Sequence, residues 1–239
     1  MIDVNGKVVM ISGANRGIGL AIARSLYKAG YSLSLGSRNI SSLENLIENS
    51  SDDRILNCHF DAMDKSTHKE WVRHTIDKFN KIDCLINNAG IVESVSVEDE
   101  EDNEDALDRM WTVNVKAPLS LTRLTLPYLK KSGSGRIVNV ASLAGKAVYG
   151  SSVGYSMTKF AAVALSHATR HGGWHHGVRC TALCPGYVAT DMTSEVESVS
   201  IDSMISPDDL AELVRTVISL SNTASIAELI VNCRPDIIA

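Results

Sequence analysis

The stretch Lys7-Val8-Val9-Met10-Ile11-Ser12-Gly13-Ala14-Asn15-Arg16-Gly17-Ile18-Gly19 passes from an apolar run through three glycines into a second patterned segment. Residues 7–12 are apolar almost throughout, which predicts a strand buried on both faces, and residues 18–28 predict a helix that stops before Gly30. Between strand and helix, the glycines let the backbone approach a ligand closely, and the helix N-terminus turns its free N–H groups toward whatever sits there, phosphate above all. The spacing is Gly-x-x-x-Gly-x-Gly, not Gly-x-Gly-x-x-Gly. Taken alone, it leaves two readings open, a structural turn and a dinucleotide site.

Six further apolar runs follow, at residues 31–36, 55–61, 83–87, 136–141, 179–184 and 226–231, with helical stretches between them at 41–48, 68–79, 106–130, 152–170 and 207–220. Ser206 before Pro207 is a helix cap followed by proline at the first helical position. Seven apolar strands alternating with helices predict an α/β fold, a Rossmann-like doubly wound parallel seven-stranded sheet covered on both faces. No repeat or linker marks a second unit, so residues 1–239 read as a single domain. The flexible run 131–135 reads as a loop before a strand.

A net charge of −5 with no cluster of Lys and Arg argues against nucleic acid or an anionic membrane as partner. The first residues lack the basic-then-apolar order of a signal peptide and no apolar run reaches the length of a membrane span, so the expected location is cytoplasmic, with no membrane partner. Cys58, Cys84, Cys180, Cys184 and Cys233 are odd in number and form no C-x-x-C, which favours reduced thiols over a disulfide or zinc framework. The acidic run 98–105 reads as a solvated helix entry or as a site for a cation or a basic partner. His167, His171 and His175 share a helical spacing, but Gly172-Gly173 is expected to end that helix, and no metal is assigned.

Chemistry enters further along. Asn87-Asn88-Ala89-Gly90 follows the fourth strand, Asn114 lies in the long helical stretch, Ser142 follows the fifth strand, and Tyr155-Ser156-Met157-Thr158-Lys159 stands in the next helix. Tyr155 and Lys159 are one turn apart on one face. Tyrosines titrate near 10 and are poor bases at neutrality, but a neighbouring cation favours the phenolate and makes acid–base transfer feasible. A lone Tyr-x-x-x-Lys would equally suit a helix surface. The ordered set, from Gly13 through Pro185-Gly186 to about Leu220, resembles the short-chain dehydrogenase/reductase family.

The resemblance implies an oxidoreductase acting on CH–OH groups with a nicotinamide cofactor, and a catalytic set of Asn114, Ser142, Tyr155 and Lys159. In it Tyr155 transfers the proton, Lys159 also holds the nicotinamide ribose, Ser142 bonds the substrate oxygen and Asn114 supports a relay water. Cofactor contacts are implied at Gly13, Asn15, Arg16, Gly17, Ile18 and Gly19, at Asn88, Ala89 and Gly90, and at Tyr155, Lys159, Pro185, Gly186, Val188 and Thr190. Asp61 with the Ala62 backbone would meet the adenine, a strand-end turn being the alternative. The family also implies a homotetramer or homodimer paired through the helices around 106–130 and 152–170.

Leu35-Gly36-Ser37-Arg38 ends the second strand, where an NAD site usually carries an acid that binds the ribose. Ser37 can donate to a 2′-phosphate and Arg38 can neutralise it, with Arg16 as a second cation, so NADP(H) is expected over NAD(H). The alternative is two solvated arginines. The polar run 190–198 is expected to cover the nicotinamide and favours a small polar alcohol or carbonyl substrate, a 3-hydroxy acid among them. Val92, Glu93, Ser94, Ala144, Lys146 and Tyr149 are expected opposite, with Lys146 available to a substrate carboxylate and Glu93 opposing it. The ending 227–236 lacks the family's glycine-rich close and resembles the branch of NADP-dependent 3-hydroxy acid and serine dehydrogenases. Two other readings stand beside this one, a 3-oxoacyl thioester reductase and a catalytically idle nucleotide-binding redox sensor.

Overall fold

All seven expected strands form, and they pair in parallel as one sheet in the order β3-β2-β1-β4-β5-β6-β7. They are β1 Val8–Ser12, β2 Ser32–Ser37, β3 Ile55–His59, β4 Cys84–Asn87, β5 Arg136–Val140, β6 Arg179–Pro185 and β7 Glu228–Val231. The computed structural model describes residues 1–44, 53–100 and 102–235. The helices are α1 Gly17–Lys28, α2 Lys65–Phe79, α3 Glu104–Trp111, α4 Ala117–Ser132, α5 Gly154–Gly173 and α6 Pro207–Ser219. The winding direction reverses between β1 and β4, which pair as Val9↔Cys84, Met10↔Leu85 and Ile11↔Ile86. At such a reversal the loops leaving the two strands diverge, and a crevice opens beyond their C-terminal ends.

The absence of polar alternation in β1 and β4 follows from burial on both faces, whereas β2 alternates serine with leucine and the edge strand β7 is half-buried. Along β1, Val9 and Ile11 face a core closed by Ile22 and Leu26 of α1 and Leu210 and Val214 of α6. Met10, between them, faces the opposite core with Trp71 of α2 and Leu121 and Leu129 of α4. The smaller α5 face, Ala162 and Val163, packs on Ala141, Ala182 and Cys184. All five cysteines are free, four of them buried. Among the described residues no helix is long and apolar enough to cross a membrane.

Three expectations change. Residues 40–43 form a short 3-10 turn capped by Asn39, and the rest of the helix expected at 41–48, from residue 45 on, lies outside the described residues. The single helix expected at 106–130 is instead α3, a π-helical turn Thr112–Lys116, and α4. Gly172-Gly173 does not end α5: the chain stays helical through Gly173 and a 3-10 turn Trp174–His176, and stops at Gly177 with φ +77°. Packing overrides propensity there, because the Trp174 ring lies under the guanidinium groups of Arg170 and Arg179, at 4.6 and 3.6 Å. Of the three spaced histidines, His167 turns to Glu228 at 2.7 Å. In the acidic run, Glu104 and Asp105 occupy the first turn of α3 and Asp99 accepts from Ser96 and Asn103, while Glu101 lies outside the described residues.

His68 of α2 is 1 % exposed, its Nε2 donating to the Asp61 carbonyl and its Nδ1 accepting from Ser120 Oγ, both at 3.0 Å. Burial, outweighing the Asp61 carbonyl bond, lowers its pKa below the ordinary 6.5. Between the two values the unfolded chain binds the extra proton, so stability falls as pH drops through about 6.5 toward the folded pKa. Denaturant midpoints at pH 7.5 and 5.5 are expected to differ less in His68→Gln than in the parent. Equal losses in both would place the acid sensitivity elsewhere.

Candidate active site

The turn after β1 and the turn after β4 are stitched into one wall of the crevice. Ser12 Oγ accepts from the N–H groups of Asn88 and Ala89, at 3.0 and 3.1 Å, and Asn88 Nδ2 donates to the carbonyls of Ser12 and Gly13, both at 3.0 Å. Gly13 sits at φ +65°, and a Cβ on Gly19 would lie 2.3 Å from the Gly13 carbonyl oxygen, so the first turn of α1 stands directly on the loop. Arg16 occupies the N-cap of α1 without a side-chain bond to it, and no acid lies in the first turn. The helix end therefore presents N–H groups and a positive dipole to an anion. Asn15 and Ile18 complete this turn, Ile18 partly buried against the core.

Ser37 closes β2, buried, with its hydroxyl 3.1 Å from Ser42 Oγ, and Arg38 beside it is exposed. Asp61 and Ala62 follow β3: Asp61 Oδ1 takes the Met63 N–H at 2.9 Å, and the Asp61 carbonyl takes Thr67 and His68. Across the crevice, Gly186 N–H donates to Val231 at 2.8 Å, and Val188 is bridged to Ile205. Thr190 reaches back to α1, its Cγ2 3.2 Å from where a Gly17 Cβ would stand. At this seam lies a cleft of about 300 Å³, lined by Gly17, Arg24, Thr190, Asp191 and Asp208 among others, beside and not over the four expected catalytic residues. Arg16 crosses the seam and donates to Asp191 at 2.9 Å, with both side chains exposed.

The π-helical turn decides the position of Asn114. Its side chain, 3 % exposed, accepts from Ile91 N–H and donates to Ile91 carbonyl, both at 2.9 Å, and donates to Thr158 Oγ1 at 3.1 Å. Thr158 in turn donates to the Tyr155 carbonyl at 2.8 Å. A π turn carries one residue more than an α turn, and such turns recur where a side chain must be redirected at a site. Lys159 is 6 % exposed, donates to the Val140 carbonyl at 2.9 Å, and holds its ammonium 5.4 Å from the Tyr155 ring centroid. A Cβ on Gly90 would lie 3.3 Å from Asn114 Oδ1 and 3.7 Å from Lys159 Nζ, so this glycine keeps open the space above both. The uncapped α1 terminus at one end and this open floor at the other fit a nicotinamide dinucleotide. Ser142 follows β5, its hydroxyl accepting from Ala144 N–H at 3.1 Å.

Two residues expected to face a substrate are engaged elsewhere. Lys146 Nζ is 2.6 Å from Glu228 Oε2, and Glu93 is paired with Arg109. Lys146 foremost, and His167 after it, hold the Glu228 carboxyl below the usual carboxylate range. The sequence reading missed Thr158, although its place three residues after Tyr155 puts it on the same helix face. It also missed Glu228 as the partner of Lys146 and Asp191 as the partner of Arg16, pairings for which no local pattern exists.

Residues 7–200 match the family model described as short chain dehydrogenase. An agropine synthesis reductase of Rhizobium rhizogenes is 44 % identical over 226 residues, which are 95 % of this chain and 52 % of that protein. The chain thus spans about half the length of the agropine synthesis reductases it matches. The ketoacyl reductase HetN of Nostoc is 33 % identical over 240 residues, covering 98 % of this chain and 82 % of that protein. Among solved structures, an alcohol dehydrogenase from the archaeon Thermococcus sibiricus, complexed with 5-hydroxy-NADP, superimposes with a TM-score of 0.83 at 29 % identity, over 93 % of this chain and 94 % of that one. A 3-ketoacyl-(acyl-carrier-protein) reductase from Brucella melitensis, complexed with NADH, gives 0.83 at 25 % identity, over 97 % and 98 %.

Proposed function

Since the chain belongs to the short-chain dehydrogenase/reductase family of oxidoreductases, we propose that it moves a hydride between NADP(H) and the alcohol or carbonyl carbon of a small polar substrate, with Tyr155 transferring the proton. The observation that carries this reading is the cluster of Asn114, Thr158, Tyr155 and Lys159 at the sheet's reversal point. The bound nicotinamide supplies or takes the hydride. The Tyr155 hydroxyl gives its proton to the substrate oxygen during reduction and takes it back during oxidation. Lys159, itself buried, places positive charge where negative charge develops on the tyrosine oxygen. It would also hold the nicotinamide ribose. Ser142 would donate to the substrate oxygen and Asn114 would anchor a relay water.

The dinucleotide would lie along Gly13, Asn15, Gly17, Ile18 and Gly19, with Asp61 and Ala62 at the adenine, Asn88, Ala89 and Gly90 along the floor, and Pro185, Gly186, Val188 and Thr190 at the nicotinamide end. Ser37 and Arg38 favour NADP(H), and Arg16 joins them by exchanging Asp191 for the 2′-phosphate. Exposed pairs are worth about 0–1 kcal/mol, so that exchange costs little. We read residues 1–239 as one such domain that pairs into a dimer or tetramer, in a cytoplasm that keeps its unpaired thiols reduced.

The polar run 190–198 favours a small hydroxy or oxo acid. The names of the Nostoc and Brucella proteins favour a 3-oxoacyl thioester as the second reading. NADPH consumption with 3-oxo acids, sugars, aromatic aldehydes and acyl thioesters, and NADP reduction with 3-hydroxy acids, separate the two. Turnover of the small acids is expected; activity confined to thioesters or to large apolar ketones would overturn the substrate class. Tight cofactor binding with no turnover anywhere would turn the assignment to the idle sensor.

A further inference from the structure

Three elements meet on the carboxylate of Glu228. The residue opens β7, the last strand of the sheet, in register with Ala182 of β6. Its Oε2 takes Lys146 Nζ at 2.6 Å, from the turn after β5, and its Oε1 takes His167 Nε2 at 2.7 Å, from α5. The loop after β5 therefore reaches across the full width of β6 to find its counter-charge. Lys146 and Glu228 are only 21 % and 22 % exposed, so water screens the pair less than it screens a free surface pair.

The turn held in this way is the one that carries Ser142. Its backbone closes through Gly145 N–H to the Ser142 carbonyl at 2.9 Å, Lys146 N–H to Leu143 at 2.8 Å and Ala147 N–H to Leu143 at 3.1 Å, while Ala144 N–H reaches the Ser142 hydroxyl at 3.1 Å. On its other side the turn rests on α5 so closely that a Cβ on Gly145 would lie 2.6 Å from the Lys159 carbonyl oxygen. The chain from Ser142 to Lys146 is thus one short rigid unit, with the serine at one end, the Lys159 backbone beneath it, and the Glu228 carboxylate at the other end.

We propose that Glu228, acting through Lys146, is a positioning residue that fixes the Ser142 turn against the Lys159 segment of α5. Neither Glu228 nor Lys146 touches the reacting atoms. The inference rests on the reading of Ser142 and Lys159 given above and extends it to a residue on the opposite side of β6. Misplacing a reacting group by about 1 Å can cost about 10²-fold in rate, so a partial loosening of this turn is expected to lower kcat about tenfold.

The test uses Glu228→Gln, Lys146→Met, their double variant and the exchanged pair Lys146→Glu with Glu228→Lys. Each is measured for amide exchange at residues 144–147, for NADPH affinity by fluorescence, and for kcat and KM with the fastest carbonyl compound of the screen. Expected are amide exchange about tenfold faster at 144–147 in Glu228→Gln, with NADPH affinity within about twofold of the parent. The kcat falls about tenfold with little change in KM, the double variant is no worse than either single one, and the exchanged pair recovers most of the loss. Unchanged exchange at 144–147, or losses that simply add, would overturn the proposal. So would a kcat loss that the exchanged pair leaves uncorrected while thermal stability is restored. Ser142→Ala, measured alongside, separates the two levels. If it retains full activity, the role of Ser142 fails; if it is inactive while Glu228→Gln is normal, only the positioning role fails.

Discussion

Tyr155→Phe is expected to lower the rate of the chemical step by about 10²–10⁴-fold while leaving fold and cofactor affinity intact. The substitution removes only the hydroxyl. The ring is packed beside Val95, Ala106 and Met110, contacts that phenylalanine keeps. The local network runs through the Tyr155 carbonyl, which accepts from Thr158, and through Asn114, so it does not depend on the phenol. Lys159 keeps its bond to the Val140 carbonyl as well. Single-turnover reduction under saturating NADPH isolates the step concerned. A variant retaining more than about half of the parent rate there would remove Tyr155 from the role assigned to it.

The second large effect is expected at the end of β2, where Ser37→Asp should reverse the cofactor preference. Ser37 lies at the C-terminal edge of the sheet with Arg38 next to it, the corner at which a doubly wound sheet meets the adenosine ribose. An aspartate would accept from a free 2′-hydroxyl and repel a 2′-phosphate. Hydrogen bonds to charged groups contribute about 1.5–3 kcal/mol, or roughly 10- to 100-fold in an equilibrium constant. kcat/KM with NADPH is therefore expected to fall by that factor, and kcat/KM with NADH to rise. A parent enzyme already more efficient with NADH would overturn the assignment before any variant is made.

The sequence is most readable where burial is symmetric. β1 and β4, buried along their whole length between two layers of helices, appear as nearly uninterrupted apolar runs, and only their ends are blurred. Lys7 and Asp83, read as strand residues, lie just outside β1 and β4 and pair with each other at 2.8 Å. Helix interruptions are hidden for a different reason. Thr112, Val113, Asn114 and Val115 are weak helix formers, but nothing in their order specifies a π turn, which reflects partners of Asn114 that are distant in sequence, at Ile91 and Thr158. Gly172-Gly173 resembles a stop because the cation–π contacts that carry the helix past it involve Arg179, on the next strand. Lys146 looks available for a substrate because its counter-ion, Glu228, lies 82 residues away. Charges near a candidate site can be read from sequence; their internal neutralisation depends on tertiary structure.

The π turn also sets the rotational phase of α4 against α3. Met110 and Leu121 are about three turns apart at 3.6 residues per turn, and in an uninterrupted α-helix they would project from one face. Here they part company: Met110 enters the small cluster with Val95 and Ala106 beside Tyr155, and Leu121 enters the main core against the sheet. The surplus residue offsets the two halves by about 100°, so one continuous rod lines Tyr155 with its first half and seals the sheet with its second. A helical wheel drawn through both halves would average two unrelated stripes into none. Rewinding the 112–116 turn as ordinary α-helix, with no residue removed, would bring Met110 and Leu121 back into phase, and it would withdraw support from one of the two cores whichever way the rod then settled.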